Sequence, residues 1–197
     1  VVSTRSDYIY DADSDSGLDV VRQYKVANDT EARTKGEGTL KSNTYYVGFK
    51  GDEIADYTDS FNNGSLQTRT AYFYSDGTTA GTDHINVRAT AAGLRIADAW
   101  MVRSVTRKGS SDASNLKQIS YYSNPVKGEE LIDYSQEYVR NSDNTADIVK
   151  TTTLYNYGAG TLSDVLASTV VYKDSTVRDT ARPTGLLDSN KKTETIY

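Results

Sequence analysis

Alternating carboxylates near the start of the chain form the first pattern that could bind a ligand. Asp11, Asp13 and Asp15 alternate with small residues, and a glycine follows them. Alternation directs three side chains toward one hard cation, and the glycine permits a sharp turn. Arg22 occupies the place of the bidentate acid of an EF-hand, so Asp19 is considered as the further ligand. The segment predicts either a calcium site formed by Asp11, Asp13, Asp15 and Asp19 or a solvated acidic turn.

A second set of acids occurs twice, each time after a Lys-Gly pair. These acids are Asp52, Glu53 and Asp56 in the first place and Glu129, Glu130 and Asp133 in the second. Paired carboxylates can hydrolyse glycosides. An active site seldom recurs with every copy of a segment, and charges on a sheet also prevent unwanted edge pairing. We therefore favour a solvated charged face, with a second cation site and catalysis as the alternatives.

The remaining composition excludes several classes of chemistry. The chain has no cysteine, so it forms neither a disulfide nor a thiolate metal site. Its single histidine, His84, follows Asp83, and adjacent residues rarely have the geometry of a catalytic triad. The net charge of −5 argues against nucleic-acid binding, and no apolar stretch approaches the roughly 20 residues of a membrane span. We predict no enzymatic activity, no nucleic-acid partner and no membrane span.

Four short blocks recur along the chain in a constant order. Their Thr, Tyr and Val residues alternate with other types, which is typical of β-strands, and Gly and Asn residues between them indicate turns. Insertions fall in polar stretches between blocks, where packing need not be preserved. Block 1 occurs at 40–46, 116–122 and 191–197, block 2 at 50–61 and 127–138, block 3 at 5–10, 67–74 and 150–157, and block 4 at 20–25, 102–108 and 167–173.

The blocks predict an all-β tandem repeat with about four strands in each unit of about 76 residues. Hairpins and coils share the same alternation, so an antiparallel sheet and a β-solenoid both remain open. Helix-forming residues over 89–101 predict a short helix within an insertion. The predicted boundaries are 1–38 for a partial unit, 39–115 for a unit with an insertion at 76–99, 116–190 for a second unit and 191–197 for the start of a further unit.

Two segments resemble YD-type (Rhs-like) repeat proteins of bacteria. They are Tyr8-Ile9-Tyr10-Asp11 and Tyr72-Phe73-Tyr74-Ser75-Asp76-Gly77. The Lys-Gly-Asp/Glu-Glu and Asp-Tyr-Ser/Thr steps of block 2 resemble Tyr/Thr-rich repeat proteins of environmental bacteria. The resemblance implies tandem β-hairpins in an extracellular or cell-surface scaffold, and it implies no catalytic residues. Tyrosine suits a thin sheet, because its ring packs on the pleat while its hydroxyl finds a polar partner. A glycan-stacking face is the alternative use of the 16 tyrosines.

The two ends of such an array predict its function. An outermost strand presents unpaired N–H and C=O groups, which form a template for another strand. We take Tyr8 and Tyr10 at one end and Thr193, Thr195 and Tyr197 at the other as the assembly residues. The expected function is a structural subunit or segment of an extracellular fibre that joins to itself head to tail by sheet continuation. The alternative is a repeat module of a large surface adhesin or toxin-shell protein, stiffened by calcium and binding a glycan.

Overall fold

The chain folds mainly into β-strands in the part that the structure describes. A computed structural model describes residues 3–10, 17–77, 85–110, 115–159, 163–179 and 181–197. The strands are β1 (Ser3–Tyr10), β2 (Leu18–Val26), β3 (Thr39–Val47), β4 (Ile54–Asn62), β5 (Ser65–Ser75), β6 (Val87–Arg88), β7 (Trp100–Lys108), β8 (Leu116–Ser123), β9 (Leu131–Arg140), β10 (Asp147–Tyr157), β11 (Leu166–Lys173) and β12 (Lys191–Ile196).

All twelve strands belong to one antiparallel sheet. Consecutive strands pair as direct neighbours from β1 to β12, except that β6 is a side branch. β6 pairs with Phe73 and Tyr74, which lie beyond the part of β5 that β4 covers. The all-β prediction is confirmed. The observed arrangement is the antiparallel alternative, because the strands follow one another in one open layer and do not stack as the coils of a solenoid.

The hydrophobic core is small and lies where the insertion contacts the sheet. Ile54 and Tyr74 are each 5% exposed, and they pack with Ala89 and Ala99 of the insertion. Partly buried side chains complete this cluster: Val47, Tyr72, Leu94, Ile96 and Met101. A single sheet exposes both faces to water, so the connecting segments that fold back on it supply much of the burial.

Helical structure is sparse and lies mostly outside the segment predicted to contain it. Within 89–101 the structure has one 3₁₀ turn, Ile96–Asp98, followed directly by β7. The one α-helix among the described residues is α1 (Asp29–Arg33), between β2 and β3. Asn28 caps it by accepting a hydrogen bond from the Glu31 amide at 2.9 Å. Glu31 reaches back to the Ala27 amide at 2.8 Å, so an Asn-x-x-Glu capping pattern was the missed signal.

A second connecting segment covers β9 and β10. The Gln136 side chain, which is fully buried, donates to the Thr152 hydroxyl and to the Thr176 carbonyl, both at 2.9 Å. Its amide oxygen accepts from the Arg178 backbone N–H at 2.9 Å. These bonds satisfy the buried amide and hold the segment that follows β11 against the sheet.

Candidate assembly interface

The outermost strands of the sheet, β1 and β12, contain the predicted assembly residues. Every residue of β12 is exposed, whereas each interior strand has half-buried or buried positions. Tyr8 and Tyr10 of β1 are 57% and 58% exposed, and Tyr197, which follows β12, is 71% exposed. The structure therefore places these residues at opposite ends of the sheet. Within the described residues, no strand pairs with the outer side of β1 or β12.

Each sequence block coincides with a strand, which allows interior strands to be compared with edge strands. Block 1 falls on β3, β8 and β12, block 2 on β4 and β9, block 3 on β1, β5 and β10, and block 4 on β2, β7 and β11. We call these type-1, type-2, type-3 and type-4 strands. From β1 to β12 the types run 3, 4, 1, 2, 3, 4, 1, 2, 3, 4, 1 along the sheet.

The pairing between type-4 and type-1 strands is the same in all three places. Lys41, Lys117 and Lys192 are each left without a cross-strand partner, at a bulge one residue from the start of the block. On the far side of the bulge, Tyr45, Tyr121 and Ile196 pair with Val20, Arg103 and Ser168 in that order. A bulge fixes the register of a strand pair and increases its local twist. β12 therefore sits against β11 in the register that β3 and β8 adopt in the interior.

Type-1 and type-2 strands are joined by stacked tyrosines. Tyr45 of β3 and Tyr57 of β4 pair across the strands with ring centroids 4.4 Å apart. Tyr121 of β8 and Tyr134 of β9 repeat this contact at 4.4 Å. Desolvation raises the pKa of Tyr57 and of Tyr134, since a buried ring disfavours the phenolate. On β12, Ile196 occupies the position of the first tyrosine of each pair.

A glutamate before each type-2 strand reaches over a neighbouring strand. Glu53 accepts hydrogen bonds from the Gly51 amide in its own turn and from the Leu18 amide of β2, both at 2.9 Å. Glu130 accepts from the Gly128 amide at 3.0 Å and from the Met101 amide of β7 at 2.9 Å. The Leu18 amide and the other backbone donors lower the pKa of Glu53, because they stabilise its charged form.

Tyrosines of type-3 strands hold the same type-2 strands from the other side. The Tyr74 hydroxyl donates to the Ala55 carbonyl at 2.7 Å, and the Tyr157 hydroxyl donates to the Ile132 carbonyl at 2.8 Å. The Tyr72 hydroxyl lies 2.9 Å from the Thr58 hydroxyl of β4.

The exposed tyrosines of β1 match these interior positions. Both Tyr10 and Tyr74 face the residue that precedes a bulge in the neighbouring type-4 strand. Tyr74 is 5% exposed beside its type-2 strand, whereas Tyr10 is 58% exposed where that strand is absent. Tyr8 corresponds to Tyr72 in the same way, two residues earlier.

Four of the six recurring acids have structural partners, which corrects the interpretation of a solvated face for them: Glu53, Asp56, Glu130 and Asp133. Asp56 is 7% exposed and forms an ion pair with Arg88, with a Nε to Oδ1 distance of 3.0 Å. Asp133 corresponds to Asp56 and binds Arg182. Both aspartates lie at the bulges between type-1 and type-2 strands. Lys127 also contacts the first set of acids mainly through the backbone, because its ammonium donates to the Asp52 carbonyl at 3.0 Å.

The proposed calcium site falls largely outside the described residues, so it stays a prediction. Asp11, Asp13 and Asp15 lie outside those residues, as does His84. Asp19 is half-buried on β2, at the bulge opposite Tyr10. No group of three or more acidic or histidine side chains converges as a metal site in the described part of the chain.

A pocket between β5 and β7 is lined by four arginines. Its volume is about 280 Å³, and its floor is apolar. Arg69 pairs with Asp59 at 2.7 Å, and the Arg103 guanidinium lies 4.3 Å from the centre of the Phe73 ring. These contacts engage the cations within the fold, so the pocket is a weaker candidate site than the sheet edges. The arginines that line it are Arg69, Arg88, Arg103 and Arg107.

Two comparisons with known proteins found no match for this chain. No protein-family model matches the chain, and no curated protein matches it significantly. No helix among the described residues has the length and apolar character needed to cross a membrane. The fold is therefore classified by its structure alone, as an open antiparallel sheet. Among the described residues, the two outermost strands, β1 and β12, each pair with one neighbour only.

Proposed function

We propose that the protein is a structural module of an extracellular fibre, extended by β-sheet continuation at β1 and β12. The observation that carries this proposal is the pair of open edges, whose strands pair inward with the register and bulge positions of interior strands. Natural sheets usually protect such edges with charged side chains, prolines, bulges or covering segments. β12 carries three charged residues, Lys191, Lys192 and Glu194, of which Lys191 and Glu194 form an ion pair with each other. It has neither a proline nor a covering segment among the described residues. A partner strand would gain main-chain hydrogen bonds along its whole length.

The proposal includes a tandem repeat with units at 39–115 and 116–190. Its support is the recurrence of contacts at matched positions: the tyrosine stacks, the glutamate bonds and the tyrosine-to-carbonyl bonds all occur twice. Each type of strand pair also has its bulge at one constant place. In a repetitive sheet of this kind, each strand buries side chains only against its neighbouring strands. Further strands of the same types can therefore be added with the same contacts.

The alternative function is a module of a large surface adhesin or toxin-shell protein. The favouring observation is the arginine-lined pocket, because a concave site with a basic rim and an apolar floor suits an acidic ligand such as a uronic acid. Calcium and glycan binding belong to this alternative. A catalytic role has less support, since Asp56 and Asp133 bind arginines, and Glu53 and Glu130 bind backbone amides, within the fold.

Electron microscopy of the purified chain tests the fibre proposal. We expect filaments in which the sheet continues from subunit to subunit. The Tyr197 amide donates to the Ala167 carbonyl of β11, so the alternation of a strand turns the Ile196 amide outward. Ile196→Pro removes this outward donor and should abolish growth at β12. Ile196→Val keeps the amide and should leave growth unchanged. Discrete particles of one chain's mass from the unmodified protein would overturn the proposal.

A further inference from the structure

We infer that both edges of the sheet accept the same partner, a strand with the residue pattern of β4 and β9. This inference rests on the proposed sheet continuation and identifies the strand that continues it. Every other type-1 strand in the sheet is followed by a type-2 strand, and every other type-3 strand is preceded by one. Among the residues that the structure describes, β12 is a type-1 strand with no neighbour on its outer side, and β1 is a type-3 strand with none on its outer side.

Strand direction leads to the same conclusion. β1 and β12 occupy the first and last of eleven successive places in an antiparallel order, so they run in the same direction. Two copies related by simple translation would therefore bring β12 and β1 together as a parallel pair. Inserting one strand between them makes both new pairs antiparallel. That single inserted strand also restores the order 1, 2, 3 across the junction.

The Leu166 amide at the start of β11 lies where interior type-4 strands donate a hydrogen bond to a type-2 segment. Leu166 begins β11 and pairs across its bulge with Tyr157, as Leu18 pairs with Tyr10 and Met101 with Tyr74. Leu18 and Met101 each donate a backbone hydrogen bond to the glutamate of a type-2 strand. The incoming strand would place its glutamate at the Leu166 amide.

On β1 the exposed tyrosines are the groups that would contact the incoming strand. Tyr10 occupies the place from which Tyr74 and Tyr157 donate to type-2 carbonyls. Tyr8 occupies the place from which Tyr72 meets the Thr58 hydroxyl. Burial of Tyr10 against an incoming strand would supply the apolar contact that Tyr74 already makes, and its hydroxyl would gain the carbonyl partner. The partner chemistry is thus a glutamate, a bulged aspartate and a tyrosine at the spacing Glu-x-x-Asp-Tyr.

A fusion tests the inference on the full chain. The sequence of residues 123–140 is appended after Tyr197, which corresponds to Tyr122, so that the turn and strand β9 are copied onto the β12 edge. We expect hydrogen exchange at the Glu194 and Ile196 amides to slow by at least tenfold. A fusion with the same 18 residues in scrambled order is the control and should leave the exchange unchanged. Equal exchange in the two fusions would overturn the inference.

A second variant reports the specific contact. In the fused segment, the residue copied from Glu130 is changed to glutamine, which removes the charge that binds the Leu166 amide. We expect the protection of Glu194 and Ile196 to fall about tenfold relative to the unmodified fusion, because the lost bond is charge-assisted. Unchanged protection would show that any strand suffices. Chains that already dimerise through protected β12 strands before fusion would show that a second β12 is the partner, which also overturns the inference.

The outcomes separate this inference from the fibre proposal. Protection of β12 in single, non-polymerising fused chains would support the type-2 strand and refute the fibre. Filaments of the unfused chain with a parallel junction between β12 and β1 would support the fibre and refute the type-2 strand. We expect the fused chain to form filaments, since its new type-2 edge can pair directly with β1 of the next copy in antiparallel order.

Discussion

Glu53 binds the backbone amide of Leu18 at 2.9 Å, although β3 lies between the strands to which they are attached. The contact is made at the end of the sheet, where β3 turns into β4. Gly17, just before Leu18, is required there, because a Cβ on it would lie 2.3 Å from the Gly48 carbonyl oxygen. The turn between β3 and β4 is thus hydrogen-bonded to the start of β2. We call this contact the glutamate clasp, and Glu130 forms the second one with Met101 of β7.

The first prediction concerns this clasp. Glu53→Gln and Glu130→Gln should each lower the free energy of unfolding by about 1 kcal/mol, since a neutral amide is a weaker acceptor than a carboxylate for two backbone donors. Urea denaturation followed by circular dichroism measures the change. Glu129→Gln is the matched control, because Glu129 is exposed and adjacent, and it should have no measurable effect.

The second prediction concerns the loss of stability at low pH. Hydrogen bonds from the Leu18 amide and other backbone donors lower the pKa of Glu53 in the folded state. A group with a depressed folded pKa adds stability above its unfolded value near 4.5 and loses that stability as the pH falls below it. We expect stability to decline from about pH 5 downward. In Glu53→Gln this decline should be shallower, and an unchanged slope would contradict the assignment.

The third prediction concerns the ionisation of buried tyrosines at high pH. Desolvation raises the pKa of Tyr138 to about 12 and that of Tyr74 further still. Because their folded pKa values exceed the unfolded value near 10, the stability they add is complete below pH 10 and falls as the pH rises above it. Absorbance at about 295 nm should show some tyrosines ionising only as the chain unfolds. A single transition near pH 10 in the folded protein would contradict this expectation.

The fourth prediction concerns the buried aspartate at the first bulge. Arg88→Ala leaves the Asp56 carboxylate without its guanidinium, which should cost about 1–3 kcal/mol. Arg182→Ala should cost less, because the Asp133 side chain is 23% exposed against 10% for Asp56. Thermal unfolding of the two variants gives the comparison. Arg33→Ala, at an exposed site on α1, controls for the loss of a positive charge.

The fifth prediction concerns the tyrosine stacks. A double-mutant cycle with Tyr45→Leu and Tyr57→Leu should give a coupling energy of about 0.5–1.5 kcal/mol beyond the burial of each ring. The cycle on Tyr121 and Tyr134 should give a similar value, because its rings are the same distance apart. A coupling near zero in both cycles would show that the stacks only fill space.

The sequence by itself determined where the long strands lie along the chain. Alternation in segments such as Thr68 to Tyr74 needs only local preferences, and the blocks placed every long strand of the sheet. It also placed Tyr8, Tyr10 and Thr195 in outermost strands. The capping residues of α1 were present in the sequence, but a five-residue helix gives too short a pattern to stand out.

Only the tertiary structure decided how the strands are paired and which charges are buried. Hairpins and solenoid coils share the same alternation, so the open antiparallel layer depends on hydrogen bonds between strands. Asp56 looked like a surface acid because its partner Arg88 lies 32 residues away in the insertion between β5 and β7. The Glu53 contact with Leu18 likewise spans 35 residues. Contacts of this kind arise when distant segments fold onto one sheet, and no local pattern encodes them.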